Sequence, residues 1–370
     1  MSEYIVIGTI IAAFAVAAVL SYFFTPPVKN FAHKVGAIDV PKDARRMHKK
    51  PIPRLGGLAI YGGFLCSILI FGQLDETMLC VLLGAAIIVA LGIFDDVLAL
   101  GAKLKFVVQI VAAAIPVCIG DLQIGLFTNL NPLSDTPFVH LGILAVPVTI
   151  IWIVGITNAV NLIDGLDGLA VGVSSIAAIT MLAVALLTGN MPIAITMAAL
   201  AGACIGFMPY NLNPAKIFMG DTGSTFLGYM LATVSIMGLF KFYAVISFAV
   251  PFLILGLPIF DTANAIIRRL AKGHSPMSPD RGHVHHKLID MGFNQKQAVA
   301  ILYAISATLG LTAVVLTSSG EVKAVVLLAA VLAAILVGAC IIYGAEHWGK
   351  HPQEQKKHKN EAAQEEKNKH

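Results

Sequence analysis

Long apolar runs dominate the chain, at about residues 4–24, 55–72, 77–94, 106–120, 141–157, 169–187, 191–207, 224–240, 242–263, 298–316 and 324–343. Such runs predict membrane-spanning helices, because a helix satisfies its own backbone N–H and C=O groups within hydrocarbon. Eleven runs predict eleven crossings of an all-α polytopic protein. Several are shorter than the ~20 residues a perpendicular helix needs, so some helices are expected to be broken or to have shifted ends. The polar stretches form loops at 25–54, 95–105, 158–168, 208–223 and 264–297, which the crossing order places on one face with the C-terminus. Residues 121–140 read as a loop on the opposite face, with a short hairpin.

Composition agrees with this pattern. With 57% hydrophobic and 12% charged residues and a mean hydropathy of +0.82, the chain is too apolar for an ordinary soluble domain. Net charge is only +4, but its placement is uneven: of 25 Lys and Arg, only Lys241 and Lys323 fall on the far face, leaving 23 with the five loops and the tail. By the positive-inside rule that side is cytoplasm and the N-terminus is outside. No basic region precedes the first run, which argues for a retained span and against a cleaved signal. Residues 1–343 therefore read as one integral domain of the plasma (inner) membrane, and 344–370 as a solvated, disordered cytoplasmic tail. The five cysteines all lie in apolar runs without C-x-x-C spacing, so they imply packing, with neither a disulfide frame nor a zinc site. Nucleic-acid binding is not indicated, the lipid bilayer is the expected environment, and a homodimer stays open.

In so apolar a chain the acids are informative, since a charge at a helix centre costs roughly 2.5–3.5 kcal/mol. Asn158, Asn161, Asp164 and Asp167 fall within ten residues, Asn158–Asp167, with Gly165 and Gly168 among them. On a straight helix Asn158 and Asp167 point about half a turn apart, so either the glycines break the helix or the four side chains divide their roles. Asp95-Asp96 ends an apolar run, with Lys103 and Lys105 following; the adjacent carboxylates call for a cation such as Mg²⁺ or a cationic substrate group, or else cap a helix. Asp221 lies between Gly220 and Gly223 before the next run, without the G-K-[ST] of a P-loop; a helix cap is its alternative. The basic segment Arg268-Arg269 to His283-Val284-His285-His286-Lys287 suits an oxygen-rich anion better than zinc. Arg46, His48 and Arg54 surround a stiff Pro51-x-Pro53 before Gly56-Gly57, and Asp261 is a lesser candidate that pairs toward Arg268. Carboxylates facing a basic rim at the cytoplasmic membrane edge describe a place where a soluble anionic donor meets a lipid acceptor, and phosphoryl transfer is the natural chemistry.

Five ordered motifs carry a resemblance: Arg46-x-His48-x-x-Pro51-x-Pro53-Arg54-x-Gly56-Gly57, Asp95-Asp96, Asn158-x-x-Asn161-x-x-Asp164-Gly-Leu-Asp167-Gly, Phe218-x-Gly220-Asp221-x-Gly-Ser and His283-Val-His285-His286. Together, across Arg46 to Lys287, the chain resembles the polyprenyl-phosphate N-acetylhexosamine-1-phosphate transferases. The resemblance implies attack by undecaprenyl phosphate on the β-phosphate of a UDP-aminosugar, release of UMP, and a requirement for Mg²⁺. It implies Asp221 as metal ligand with Asn161 nearby, Phe218 stacked on uracil, and Asp95 and Asp96 positioning or deprotonating the lipid phosphate. Asp164 and Asp167 join them as catalytic candidates. His283, His285, His286 and Arg281 would grip the donor, while Lys103, Asn158, Arg46, His48 and Arg54 complete the substrate contacts.

The form His-Val-His-His looks like the branch that uses UDP-GlcNAc and primes teichoic acid linkage units or O-antigen. The UDP-MurNAc-pentapeptide branch of peptidoglycan synthesis is the alternative within the class, since Val284 departs from its three consecutive histidines. A transporter or flippase is the alternative from another class, because buried acids also serve as coupling-ion sites.

Overall fold

The computed structural model describes residues 3–40, 51–128, 138–238, 249–273, 275 and 282–318. Over these the chain is almost entirely helical: α1 (Glu3–Val35), α2 (Gly57–Phe71), α3 (Glu76–Leu98), α4 (Ala102–Cys118), α5 (Ala145–Leu162), α6 (Leu169–Leu187), α7 (Met191–Asn211), α8 (Gly220–Gly238), α9 (Ala249–Ile254), α10 (Gly256–Ala271), α11 (Val284–Asp290) and α12 (Gln295–Ser318). Two small antiparallel hairpins interrupt them, β1 (Ile38–Asp39) with β2 (Ile52–Pro53) and β3 (Leu126–Thr128) with β4 (Phe138–His140). The second is the hairpin expected at 121–140.

Six of the described helices, within 4–35, 76–98, 142–162, 169–187, 191–211 and 295–317, are long and apolar enough to cross a membrane. The finer count of eleven rests also on shorter helices and on the run at 324–343, which lies outside the described residues, as does the tail. Helix ends differ from the polarity pattern in a consistent way. α1 runs eleven residues past its apolar stretch and through Pro26-Pro27 to Val35, because a helix near the water edge can leave the freed carbonyls to solvent. The run at 242–263 resolves, in its described part, into α9 and α10, divided at Leu255.

Burial separates centre from rim: 78% of the apolar window of α7 and 72% of that of α6 lie inside the protein, against 22% for α1. Tyr229, Phe64, Phe207 and Phe226 are the largest fully buried side chains of the core. α1 packs on α7 and α2, and a Cβ at Gly202 or Gly206 would strike the carbonyls of Phe14 or Ala18. This small-residue seam lets two backbones approach where lipid offers no hydrophobic drive. Hydroxyls inside the bundle bond to their own helix, as Thr157 Oγ1 does to Ile153 O at 2.7 Å and Thr233 Oγ1 to Tyr229 O at 2.9 Å.

The ends of α3, α5 and α7 and the starts of α2 and α8 gather at one end of the bundle. There α2 and α3 press on the first turn of α8: a Cβ on Gly57 would overlap Gly223 backbone, and one on Gly92 would overlap Thr222 backbone. That close approach places Arg54 and the acids of two sequence motifs side by side.

Candidate active site

Asp96, 3% exposed, ends its carboxylate on α8: Oδ2 accepts Thr222 Oγ1 at 2.7 Å and Thr222 N at 3.1 Å, and Oδ1 accepts Asp221 N at 3.1 Å. It thus caps the α8 N-terminus from another helix, where a negative charge is favoured. Arg54 Nε and Nη2 donate to the Asp96 carbonyl at 3.2 and 3.0 Å. The Pro51-x-Pro53 stretch earns its stiffness at the same place, since Pro53 O accepts Phe218 N at 2.8 Å and Phe218 O accepts Gly56 N at 2.9 Å. Two distant motifs are joined by backbone alone.

Asp95 Oδ1 accepts Leu100 N at 2.8 Å, closing the α3–α4 turn, and its Oδ2 lies 2.9 Å from Lys105 Nζ. The same ammonium lies 2.9 Å from Asp221 Oδ2. Lys105 therefore bridges the acids of α3 and α8, the cation that the adjacent carboxylates called for. Lys103, expected to contact substrate phosphate, is exposed two residues earlier; two residues rotate a helix by about 200°, so it does not share the face that Lys105 turns to the acids. The signal for Lys105 lay in its spacing with Gln109 and Ala112, i, i+4, i+7 on the buried face of α4.

The Asn158–Asp167 stretch both breaks and divides. α5 ends at Leu162, a turn follows, and Gly168 adopts φ +80° before α6, a conformation that disfavours any residue with a Cβ. Asn158 faces away from the site, donating to Gln109 Oε1 at 2.6 Å and Val154 O at 2.8 Å. This tether fixes α4, and with it Lys105, against α5. Asn161 Nδ2 donates to Ser224 Oγ at 2.8 Å, one turn along α8 from Asp221. Asp167 Oδ2 accepts Asn213 Nδ2 at 2.9 Å and Ala215 N at 3.0 Å, holding the α7–α8 loop. Asp164 differs from its neighbours: burial first, then the charges of Asp221, Asp96 and Asp167, push its carboxyl up to about 8. Among the described residues its side chain makes no hydrogen bond or ion pair.

A cavity of about 310 Å³ opens between these groups, walled by Arg54, Asp96, Asn161, Asp164, Asp167, Phe218, Asp221 and His286, among others. Asp39 on the β1–β2 hairpin also lines it, a residue that no motif signalled. Of the three histidines only His286 lies in this wall. His283 Nδ1 is 2.8 Å from Asp261 Oδ2, so Asp261 pairs with the histidine loop and not, as expected, toward Arg268. His285 packs its ring on Gly165, where a Cβ would collide with it. Burial and the neighbouring His286 push His285 down to about 3, which keeps it neutral. Arg46, His48 and Arg281 lie outside the described residues.

The donors open to the cavity are oxygens, from Asp221, Asn161 and Asp164. Among the described residues no three His, Cys or acidic side chains converge as a metal cage. Such a set suits a hard cation like Mg²⁺, which takes one or two carboxylates and fills its octahedron with water and substrate phosphate.

Fold and cavity define a class: a helical membrane protein with an acid-walled, arginine-edged site at one end of its bundle. Residues 78–239 match glycosyl transferase family 4. The chain is 43% identical over 311 residues to the probable undecaprenyl-phosphate N-acetylglucosaminyl 1-phosphate transferase of Bacillus subtilis, covering 84% of this chain and 86% of that protein. It is 36% identical to the decaprenyl-phosphate N-acetylglucosaminephosphotransferase of Mycobacterium tuberculosis, over 78% of this chain and 77% of that one. It is also 29% identical to the undecaprenyl-phosphate alpha-N-acetylglucosaminyl 1-phosphate transferase of Escherichia coli, over 85% and 86%. The chain belongs to this family of membrane-bound polyprenyl-phosphate N-acetylhexosamine-1-phosphate transferases.

Proposed function

We propose that the protein transfers N-acetylglucosamine-1-phosphate from UDP-GlcNAc to undecaprenyl phosphate on the cytoplasmic face of the plasma membrane. The product would be the first lipid-linked intermediate of a cell-wall polymer of the teichoic acid linkage unit or O-antigen type. The observation that carries this reading is the single cavity that unites Phe218, Asp221, Asp164 and Arg54, with Lys105 behind Asp221. A phosphate oxygen of the lipid attacks the donor's β-phosphorus, the bond to the bridging oxygen breaks, and UMP leaves with that electron pair. The acceptor's second pKa is near 6, so it can be largely ionised before it attacks. Phe218 offers an aromatic face to uracil, Arg54 and His286 offer donors to phosphate and sugar oxygens, and Lys105 holds Asp95 and Asp221 apart in charge. Mg²⁺, held through Asp221 with Asn161 and Asp164, would offset negative charge on the donor diphosphate. The acids sit where helices end, which suits exchange with cytoplasmic nucleotides better than a transporter's coupling-ion site at the midplane.

Purified protein incubated with undecaprenyl phosphate, Mg²⁺ and either UDP-GlcNAc or UDP-MurNAc-pentapeptide tests the donor. UMP and lipid product from UDP-GlcNAc are expected, with loss of both on chelation by EDTA; product from the pentapeptide donor alone would overturn the reading.

A further inference from the structure

We infer that Asp261 is a positioning residue of the donor site, acting through His286. The inference rests on the reading of the cavity as that site. Asp261 lies on α10, 3% exposed, and spends both carboxylate oxygens on the start of α11: Oδ2 is 2.8 Å from His283 Nδ1 and Oδ1 accepts Val284 N at 2.8 Å. The Nδ1–H tautomer of His283 is the one that donates to Oδ2 across this contact. His283 itself is 6% exposed and is the N-cap residue of α11, yet makes no side-chain cap bond to that helix. Asp261 supplies the cap in its place.

A helix of seven residues does not hold its orientation by its own hydrogen bonds. α11 needs external fixing, and its first turn carries both of the remaining histidines. Consecutive residues on a helix point about 100° apart, so a modest rotation of α11 would exchange which histidine meets the cavity. Three contacts prevent it. Asp261 holds the first N–H; His285 is wedged on Gly165; and the rings touch in series, His283 stacked on His285 at 5.7 Å with planes 9° apart and His285 against His286 at 4.3 Å with planes tilted by 44°. His286 is thereby turned into the cavity wall, of which Asp164 is also part. The three histidines hold three jobs, anchor, wedge and ligand contact, and Asp261 is the fixed point of the series.

The experiment is a double-mutant cycle on the full-length protein in detergent or nanodiscs, with kcat and KM for UDP-GlcNAc, melting temperature, and hydrogen exchange over residues 282–290. Asp261→Ala is expected to lower kcat/KM by about 10- to 100-fold, the scale of one or two charge-assisted hydrogen bonds. Asp261→Asn, which keeps the acceptor for Val284 N, should lose less. His286→Ala should mask the Asp261→Ala loss, so that the double variant is no worse than His286→Ala alone. His283→Asn, whose amide can still donate to Asp261, should recover most of the activity that His283→Ala loses. Multiplying losses in the double variant, or a His283→Asn as damaged as His283→Ala, would overturn the inference. Hydrogen exchange stands apart from the identity of the donor: faster exchange at 282–290 in Asp261→Ala, with the rest of the bundle unchanged, is expected even if UDP-GlcNAc proves not to be the substrate. Unchanged protection there would refute the anchor outright.

Discussion

At the scale of single residues, the site depends on which charges are already spent. Asp96, Asp167 and one oxygen of Asp95 are committed to backbone N–H groups, so their first duty is to hold loops and helix starts in place. Lys105 is the counterpart, a half-buried cation set 2.9 Å from each of two acids. Removing its charge leaves Asp95 and Asp221 to repel each other in a partly buried site, which would disturb the acceptor and metal contacts of the proposed reaction. Lys105→Met is therefore expected to lower kcat/KM about 100-fold or more, and Lys103→Met to stay within about two-fold, read by UMP release. His285 makes a second prediction. Its folded pKa is depressed to about 3, whereas an unfolded imidazole titrates near 6.5. Below about pH 6.5 the unfolded chain takes up a proton that the folded one refuses, so this histidine's contribution to stability is present above that pH and is lost on acidification toward 3. The slope from this group is at most ~1.4 kcal/mol per pH unit. His285→Gln should flatten the fall in melting temperature between pH 6.5 and 4.5.

At the scale of elements, the seam of α2, α3 and α8 brings the motifs together. Ala at Gly92 would force Cβ into the Thr222 backbone, and that clash has no flexible side-chain end to yield. The helices must separate, breaking the Asp96 cap and widening the Lys105 bridge. Gly92→Ala should cost about 1–3 kcal/mol of stability and nearly all transfer activity. Gly8→Ala on α1, where nothing lies within 4 Å, should alter neither, as measured by melting temperature and UMP release. Much of the element pattern was legible because apolar runs report burial in lipid directly. What polarity could not report was where helices stop: α1 continues past Pro26-Pro27, and α5 keeps Asn158 and Asn161 inside its last turns, since a polar side chain at the water edge is compatible with either helix or loop.

At the scale of the whole molecule, the five motifs could be placed on one face from crossing order and Lys/Arg asymmetry alone, and the described helix ends do converge on one cavity. Their pairings could not be read so: the Lys105 bridge between Asp95 and Asp221, the Asn158–Gln109 tether and the Asp261–His283 pair depend on helix rotation, which periodicity in an all-apolar helix hardly specifies. The orientation proposed from the charge bias has a consequence for chemistry, because UDP-sugars are cytoplasmic. Gly125, exposed before the β3–β4 hairpin, and Lys216, exposed between α7 and α8, lie at opposite ends of the bundle. In a variant with its native cysteines replaced, a membrane-impermeant maleimide is expected to label Gly125→Cys from outside intact cells and Lys216→Cys only in inverted vesicles. The reverse pattern would put Asp221 and its partners on the outer face, where no nucleotide donor reaches them, and would defeat both the topology and the proposed reaction together.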